Sequence, residues 1–243
     1  MPLDSDVDKL SEPDIDIRNI YNPGLIVTGF FTPDYRPLAQ SFSKNLSDHR
    51  VSHHLYALAK IPGDWTIQTR QKPSALAAAM RDYPTQTLVL MDVDCQVRGD
   101  ISDLLAMEPD VTLMLKRKAT KLGVALLPGS RVIAVKPTKG GAAFVRSWKE
   151  ACESGLKGSD ETALLTIIEQ SGGSFSIGAL PQRFTGTELR DAKSNAVIVH
   201  KSVHDNTRPA WSLRKGIQRV FRKVRDGVFL ALTGADYNTY RSR

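Results

Sequence analysis

The sequence predicts a single α/β domain, in which a sheet is flanked by helices. Short apolar runs at residues 24–31 and 87–91 have the length and composition of buried strands. Between them, apolar residues recur every four positions over residues 38–46, which is typical of a helix packed on a sheet. The length of 243 residues, with 41% hydrophobic and 24% charged residues, suits one globular domain with short extensions.

The composition also narrows the class of protein. The net charge is +7, and the two cysteines, Cys95 and Cys152, are too far apart for a metal-ligand spacing or a disulfide framework. We therefore expect reduced thiols in a cytoplasmic protein. No stretch has the form of a cleaved signal peptide, and no apolar run reaches the ~18 residues that a membrane-spanning helix needs. Any contact with a membrane is expected to be peripheral, at the inner face.

The first half of the chain predicts alternating strands and helices. After the first strand, a helix is predicted over residues 38–46 and a second strand over residues 53–58. His53 and His54 are adjacent on that strand and face opposite sides, so they are interpreted as structural residues. Pro73 and the alanines after it predict a helix from about residue 73.

The strand at residues 87–91 ends in two carboxylates, Asp92 and Asp94. Because alternate residues of an extended strand share a face, both are expected to point at one object, at the sheet edge where α/β proteins bind ligands. Two such carboxylates repel each other and are costly to desolvate unless a cation lies between them. A divalent cation that carries a phosphorylated ligand is the natural partner. The alternative is an exposed acidic pair with no ligand.

This strand and its Asp-x-Asp sequence resemble the DXD motif of nucleotide-sugar glycosyltransferases of the GT-A fold, most nearly the glycogenin-like, family 8 retaining branch. The resemblance implies a GT-A (Rossmann-like) mixed sheet, with Mn²⁺ or Mg²⁺ held by Asp92 and Asp94 against the donor diphosphate. In that superfamily the first strand and the loop after it hold the nucleoside, which implies contacts by Thr28, Phe30 and Tyr35. For Phe30 alone, a place in the strand core is the favoured alternative.

Two basic residues, Arg70 and Lys72, precede the helix predicted from residue 73. Backbone N–H groups and the helix dipole favour an anion at that end. Related transferases also carry a basic start to this helix, which implies contact of Arg70 and Lys72 with the donor phosphate or nucleotide. Ordinary solvated charges are the equally weighted alternative.

After Asp94 the sequence predicts a turn capped by Asp100 and Asp103, followed by a short helix. Lys116, Arg117 and Lys118 then introduce a predicted loop through residues 128–129, where they either meet an anionic acceptor or form a solvated basic hairpin. The remaining predicted elements are strands at 111–115, 131–135, 175–179 and 196–200, and helices at 142–154 and from about 159.

The second half contains further candidate site residues. Asp160 and Glu161 resemble the Asp-Gln-x-x-Leu segment of the glycogenin-like enzymes, which implies a catalytic-site role near the sugar and acceptor, although Glu161 stands where Gln is usual. Ser159 or Asp160 is also the expected helix cap. The resemblance implies that His200, with His204 in reserve, is a third metal ligand. An Asp, Asp, His set favours Mn²⁺ over Mg²⁺.

The composition divides the chain into three parts. Residues 1–20 are acidic and predict a mobile tail, residues 21–208 form the transferase domain, and residues 209–243 form a basic helical extension. Within that extension, residues 211–225 place apolar and basic groups on opposite helix faces, which favours an anionic membrane surface. Packing of this helix on the domain is the alternative. Sparse aromatic residues argue against nucleic acid as a partner.

The leading hypothesis is a metal-dependent glycosyltransferase that moves a sugar from a nucleotide-diphosphate donor, with UDP favoured, to a polysaccharide or lipid-linked acceptor. The resemblance implies retention; an inverting enzyme would need Asp160 as base. Lys72, Lys201 and Arg208 are expected to share charge on the departing diphosphate. The alternatives are a haloacid-dehalogenase-type phosphatase, which wants Thr where Gln96 stands, and a catalytically inactive membrane-surface adaptor on a transferase fold.

Overall fold

The computed structural model describes residues 15–22, 24–120, 123–155, 158–187 and 195–201. Most of the predicted acidic tail, the basic extension at 209–243, Arg208 and His204 lie outside the described residues. Among the residues that are described, no helix has the length and apolar character needed to cross a bilayer.

Within the described residues the predicted strands and helices are present, with several short elements added between them. In chain order the strands are β1 (Ile17–Asn19), β2 (Leu25–Phe31), β3 (His53–Ala57), β4 (Thr87–Met91), β5 (Cys95–Val97), β6 (Val111–Thr120), β7 (Gly123–Val135), β8 (Ile177–Ala179), β9 (Gly186–Thr187) and β10 (Ile198–His200). The helices are α1 (Arg36–Asp48), α2 (Trp65–Thr69), α3 (Lys72–Asp82), α4 (Lys139–Glu153) and α5 (Asp160–Gln170), with 3₁₀ turns at Pro33–Tyr35, Ser102–Ala106 and Gln182–Phe184.

The large sheet has seven strands in the order β1-β3-β2-β4-β7-β6-β8. Its centre is parallel, because β2 pairs in parallel with both β3 and β4. The chain then reverses, so that β7 pairs antiparallel with β4 and β6 antiparallel with β7, while the edge strand β8 is parallel to β6. This arrangement confirms the predicted mixed sheet flanked by helices.

Both faces of the large sheet are covered, which explains the uninterrupted apolar sequence of β4. Helices α3, α4 and α5 cover one face, where Leu76 and Trp148 pack in a cluster with Leu90. Helix α1 and a smaller sheet cover the other face, where Phe42 packs in a cluster with Met91. Every residue of β4 is buried, as is usual for a central strand of an α/β sheet.

The smaller sheet consists of β5, β10 and β9. Strand β10 pairs antiparallel with β5 and parallel with β9. Helix α1 fixes β5 through Asn45, whose Oδ1 accepts from the Val97 N–H at 2.8 Å and whose Nδ2 donates to the Val97 carbonyl at 2.9 Å. Strand β5, which follows β4 in the chain, is thereby fixed to α1 on this face of the large sheet.

The two adjacent histidines of β3 are structural, as predicted. His53 is fully buried, and its ring nitrogens are hydrogen-bonded to Ser43 Oγ at 2.7 Å and to the Val51 carbonyl at 2.8 Å. His54 is hydrogen-bonded to Asp16 Oδ2 at 3.0 Å and to the Tyr83 hydroxyl at 3.1 Å. Their side chains lie on opposite faces of β3, which pairs with β1 and β2, and they do not form a joint metal site.

The loop predicted through Pro128 and Gly129 is wrong. Strands β6 and β7 instead form one long hairpin, in which Pro128 lies opposite Leu115 and Gly129 opposite Met114. The register shifts between Leu113 and Met114, and such irregularities are the positions where a sheet tolerates Gly and Pro. The turn-prone residues therefore mark a bulge, not a loop.

Candidate active site

The two acids that follow β4 lie on a tight turn. The strand ends at Met91, and the Cys95 N–H donates to the Asp92 carbonyl at 2.9 Å, which closes a turn over Asp92 and Asp94. The Asp92 N–H donates to the Arg131 carbonyl at 3.1 Å. The expectation that both acids share one face of an extended strand is therefore wrong, and the turn decides where they point.

The last strand brings a histidine to this turn. Strand β10 pairs with β5 so that His200 lies opposite Cys95, the residue after Asp94. The Lys201 N–H donates to the Asp94 carbonyl at 2.8 Å, which fixes the end of β10 to the turn. His200 Nε2 lies 3.1 Å from Asp94 Oδ1. Two segments more than one hundred residues apart in sequence thus meet at the carboxyl end of β4.

Asp92, Asp94 and His200 form a candidate metal centre. One ligand atom from each lies within 4.8 Å of the other two, and all three residues are partly buried. Asp94 Oδ1 is buried and makes no hydrogen bond within the described residues, although it faces His200. A buried carboxylate oxygen in this state is costly unless a cation binds it, so the residues fit a divalent metal ion.

A buried lysine lies beside this centre. Lys72 opens α3, and its Nζ is 2.7 Å from Asp92 Oδ1, 3.3 Å from Asp160 Oδ2 and 3.0 Å from Ser130 Oγ. Burial lowers the pKa of Lys72, but the charges of Asp160 and Asp92 outweigh this effect and raise it above the usual value. The ammonium group therefore stays charged and joins the two carboxylates.

The pKa of Asp92 is subject to opposing effects. Burial raises its pKa, the Lys72 ammonium opposes that rise, and the Asp94 carboxylate adds to it, so that the pKa of Asp92 lies above its ordinary value. One lysine is thus not enough to compensate the paired acids. A cation bound by both Asp92 and Asp94 would lower the free energy of their ionised carboxylates.

Asp160 does not cap α5. Its side chain is 3% exposed and turned toward Lys72, and the Ser159 side chain makes no capping hydrogen bond either. Of the two predicted caps, Ser159 occupies the N-cap position without a side-chain hydrogen bond, and Asp160 is the first residue of the helix. The Asp160 carbonyl accepts from Trp148 Nε1 at 3.1 Å, so the core of α4 fixes the start of α5 and aims Asp160 into the site.

A second ion pair adjoins the first. Glu161 is bound by Lys116 of β6, whose side chain is 8% exposed. The sequence predicts that Lys116, Arg117 and Lys118 either meet an anionic acceptor or form a solvated basic hairpin. The hairpin is present, but the Lys116 ammonium group is turned inward instead of being solvated. The sequence contains no separate signal for this inward orientation, nor for the role of Ser130 against Lys72.

The predicted nucleotide contacts are distributed around the carboxyl end of β2. Tyr35 is half-buried, and its burial, followed by the charges of Asp34 and Asp94, raises its pKa. Phe30 is partly buried against the α3 side of the core. Thr28 is fully buried with no hydrogen-bond partner for Oγ1 among the described residues, which weighs against direct contact with a ligand.

Arg70 and Lys201 lie at the periphery of the candidate site. Arg70 donates through Nε and Nη2 to the Gly158 carbonyl at 2.9 and 2.6 Å, so it ties α2 to the loop that leads into α5. Lys201 is exposed beside Asp94.

The turn after β5 has one of its two predicted caps. Asp100 accepts from the Ser102 N–H at 2.8 Å, whereas Asp103 pairs with Arg183.

Several solved structures that share this fold are glycosyltransferases. One is involved in glycosylation of the major capsid of PBCV-1; the TM-score is 0.53 at 11% identity, over 74% of this chain and 94% of that one. Another is GlyE of Streptococcus pneumoniae TIGR4, with a TM-score of 0.52 at 16% identity over 89% of this chain. This chain spans 62% of GlyE. No family model and no curated protein matches the sequence.

At these identities the similarity establishes the fold. The mixed seven-stranded sheet with its flanking helices is the GT-A fold that the sequence predicts.

Proposed function

We propose that this protein is a metal-dependent glycosyltransferase that moves a sugar from a nucleotide-diphosphate donor, UDP-linked by preference, to a polysaccharide or lipid-linked acceptor. The observation that carries the proposal is the meeting of Asp92, Asp94 and His200 within 4.8 Å at the carboxyl end of the central strand. The GT-A fold supports it, because ligands of open α/β sheets bind at that edge.

The charges of the site support a divalent cation. Two ammonium groups, Lys72 and Lys116, pair with three carboxylates, Asp92, Asp160 and Glu161, and Asp94 adds a fourth. Among these six side chains the four carboxylates outnumber the two ammonium groups by two, and a bound divalent cation would balance that excess. A bound Mn²⁺ or Mg²⁺ would stabilise the negative charge that develops on the leaving diphosphate.

The residues of the chain supply positioning and charge. Lys72 fixes the carboxylate of Asp92 within the metal centre and also pairs with the buried carboxylate of Asp160. In this proposal Lys201 meets the diphosphate, and Arg70 and Tyr35 contribute to binding of the nucleotide. Arg208, for which the same role is proposed, lies outside the described residues.

Retention of the anomeric configuration is part of the proposal. An inverting enzyme needs a carboxylate base against the acceptor hydroxyl, and Asp160 is the candidate that the sequence offers. In the structure Asp160 is 2% exposed and paired with Lys72, so it is poorly placed to accept a proton from an acceptor. This position favours the retaining reaction that the family resemblance implies.

The proposal is tested by ligand binding and by turnover. Thermal-shift measurements with UDP, GDP, CDP and dTDP, each with and without Mn²⁺, should show stabilisation by UDP that requires the metal. Donor hydrolysis with Mn²⁺ should be lost in Asp94→Ala, while the circular dichroism spectrum is retained. If no nucleotide stabilises the protein with Mn²⁺, the transferase proposal is wrong. Binding without hydrolysis or transfer would instead indicate the inactive adaptor.

A further inference from the structure

Strand β7 has a bulge beside the candidate metal centre. Its pairing with β6 skips residues 130–132, which have no counterpart in that strand. The last of them, Val132, lies opposite Met91, the final residue of β4. Bulges are frequent next to active sites, because the extra residues aim side chains where a regular strand would not. This bulge lies beside the turn that begins at Asp92, so its side chains are candidates for a role in the site.

Two adjacent residues of the bulge contact the metal centre and its lysine. The Arg131 carbonyl accepts from the Asp92 N–H at 3.1 Å. Ser130 is buried, and its Oγ accepts from Lys72 Nζ at 3.0 Å, while its carbonyl oxygen lies 3.5 Å from the same nitrogen. The bulge thus holds both the backbone of a candidate metal ligand and the lysine that pairs with its carboxylate. A chain before Gly129, where a Cβ would lie 2.7 Å from Lys116 Cε, fixes the start of the bulge closely against β6.

The Lys72 ammonium group is held by charge on one side and by Ser130 on the other. Asp92 Oδ1 at 2.7 Å and Asp160 Oδ2 at 3.3 Å attract it. The contact with Asp160 is an ion pair without a hydrogen bond, since Oδ2 makes no hydrogen bond within the described residues. Attraction between charges is only weakly directional, whereas a hydrogen bond requires alignment. The Ser130 hydroxyl therefore determines where the ammonium group rests between the two acids.

We propose that Ser130 is a positioning residue of the metal centre, which holds the Lys72 ammonium group against one oxygen of Asp92 and leaves the other oxygen to a divalent cation. This inference rests on the metal-dependent reaction proposed above. Without the hydroxyl, the ammonium group can move between the two oxygens of Asp92 and repel the bound ion. Replacing a residue that orients a metal ligand changes metal affinity about 10–100-fold. Because Ser130 acts through Lys72, we expect an effect at the lower end of that range.

The positioning role is tested by measuring the Mn²⁺ affinity of the full chain. The electron paramagnetic resonance signal of free Mn²⁺ is followed during titration, with and without UDP. Ser130→Ala should lower the Mn²⁺ affinity about tenfold relative to the wild type. Ser130→Thr keeps the hydroxyl and should stay within about threefold of the wild type. Equal losses in the two variants, or an unchanged or higher affinity in Ser130→Ala, overturn the inference.

Ser43→Ala is the matched control. Ser43 is also a buried serine, and its Oγ is hydrogen-bonded at 2.7 Å to Nε2 of the buried His53, away from the metal centre. This variant should lower the melting temperature about as much as Ser130→Ala but leave the Mn²⁺ affinity unchanged. A purely structural role of Ser130 predicts that Ser130→Ala gives the same result as the control. Matching behaviour of the two variants, in either measurement pattern, therefore contradicts a positioning role.

A double-mutant cycle tests whether Ser130 acts through Lys72. In the Lys72→Met background, Ser130→Ala should cause no further loss of Mn²⁺ affinity, because the group that Ser130 holds is already absent. A second loss of about tenfold in that background would show that Ser130 acts by another route, which overturns the inference. If Lys72→Met does not fold, the comparison of Ser130→Ala with Ser130→Thr and Ser43→Ala decides alone.

The outcomes separate this inference from the proposed function. If the wild type binds Mn²⁺ and Ser130→Ala binds it equally well, the positioning role is wrong and the proposed function stands. If the wild type binds no Mn²⁺, either alone or with UDP, the metal-dependent function fails and the inference fails with it.

Discussion

Replacing Lys72 by methionine should destabilise the protein strongly and in a pH-dependent way. Methionine keeps the length and apolar stem of lysine but removes the ammonium group that is 2.7 Å from Asp92, 3.3 Å from Asp160 and 3.0 Å from Ser130 Oγ. Removing one partner of a buried ion pair leaves uncompensated buried charge, which costs about 3–5 kcal/mol. We expect the free energy of unfolding of Lys72→Met at pH 8, measured with urea, to fall by about that amount.

The pH dependence follows from the pKa of Asp92. In the folded protein this pKa is raised by burial and by Asp94, and it should rise further once Lys72 no longer opposes the shift. The unfolded carboxylate keeps a pKa of about 3.9, so ionisation lowers stability at higher pH, and the loss is relieved as pH falls through the folded pKa. The difference between Lys72→Met and wild type should therefore be smaller at pH 5 than at pH 8.

Lys149→Met is the matched control. Its partner Glu153 and Lys149 itself are 57% and 40% exposed, and such pairs contribute about 0–1 kcal/mol. Mn²⁺ at about 100 times its dissociation constant should return up to ~2.7 kcal/mol to Lys72→Met if the metal centre remains. Equal losses in Lys72→Met and Lys149→Met, or a loss that is independent of pH, would refute the description of Lys72 as the counter-ion of buried acids.

Further predictions concern the metal centre, the small sheet and the thiols. Asp94→Asn should abolish the Mn²⁺-dependent rise in melting temperature, because an amide is a poorer ligand than a carboxylate; an undiminished rise would exclude Asp94 from the centre. Asn45→Ala leaves the Val97 N–H and carbonyl without their side-chain partners, so it should cost about 1–3 kcal/mol in urea unfolding and weaken Mn²⁺ binding; stability loss with unchanged Mn²⁺ affinity would separate β5 from the centre. Burial raises the pKa of Cys152 to about 12 and also raises that of Cys95, so the native protein at pH 8 should react with a maleimide far more slowly than in guanidinium; rapid native labelling would contradict their burial.

Local sequence patterns determined most of the secondary structure. They also placed the candidate metal ligands at the ends of strands. The apolar run of β4 is buried on both faces, so the end of that run marks where Asp92 and Asp94 meet solvent. His200 is likewise the final residue of β10, a strand recognisable from its apolar sequence. These features are encoded within a few adjacent residues, which is why sequence alone could place them.

Long-range pairing decided the rest. The sequence predicts Asp160 as a helix cap or a site residue, but it does not show that the carboxylate faces Lys72, which belongs to a helix almost ninety residues earlier. Lys116 is one of three neighbouring basic residues in the sequence, and its inward orientation depends on the hairpin register and on Gly129 in the strand beside it. The chemistry of a buried charge depends on which partners the fold brings to it. That is a property of the packed sheet and helices, and no short stretch of the sequence contains it.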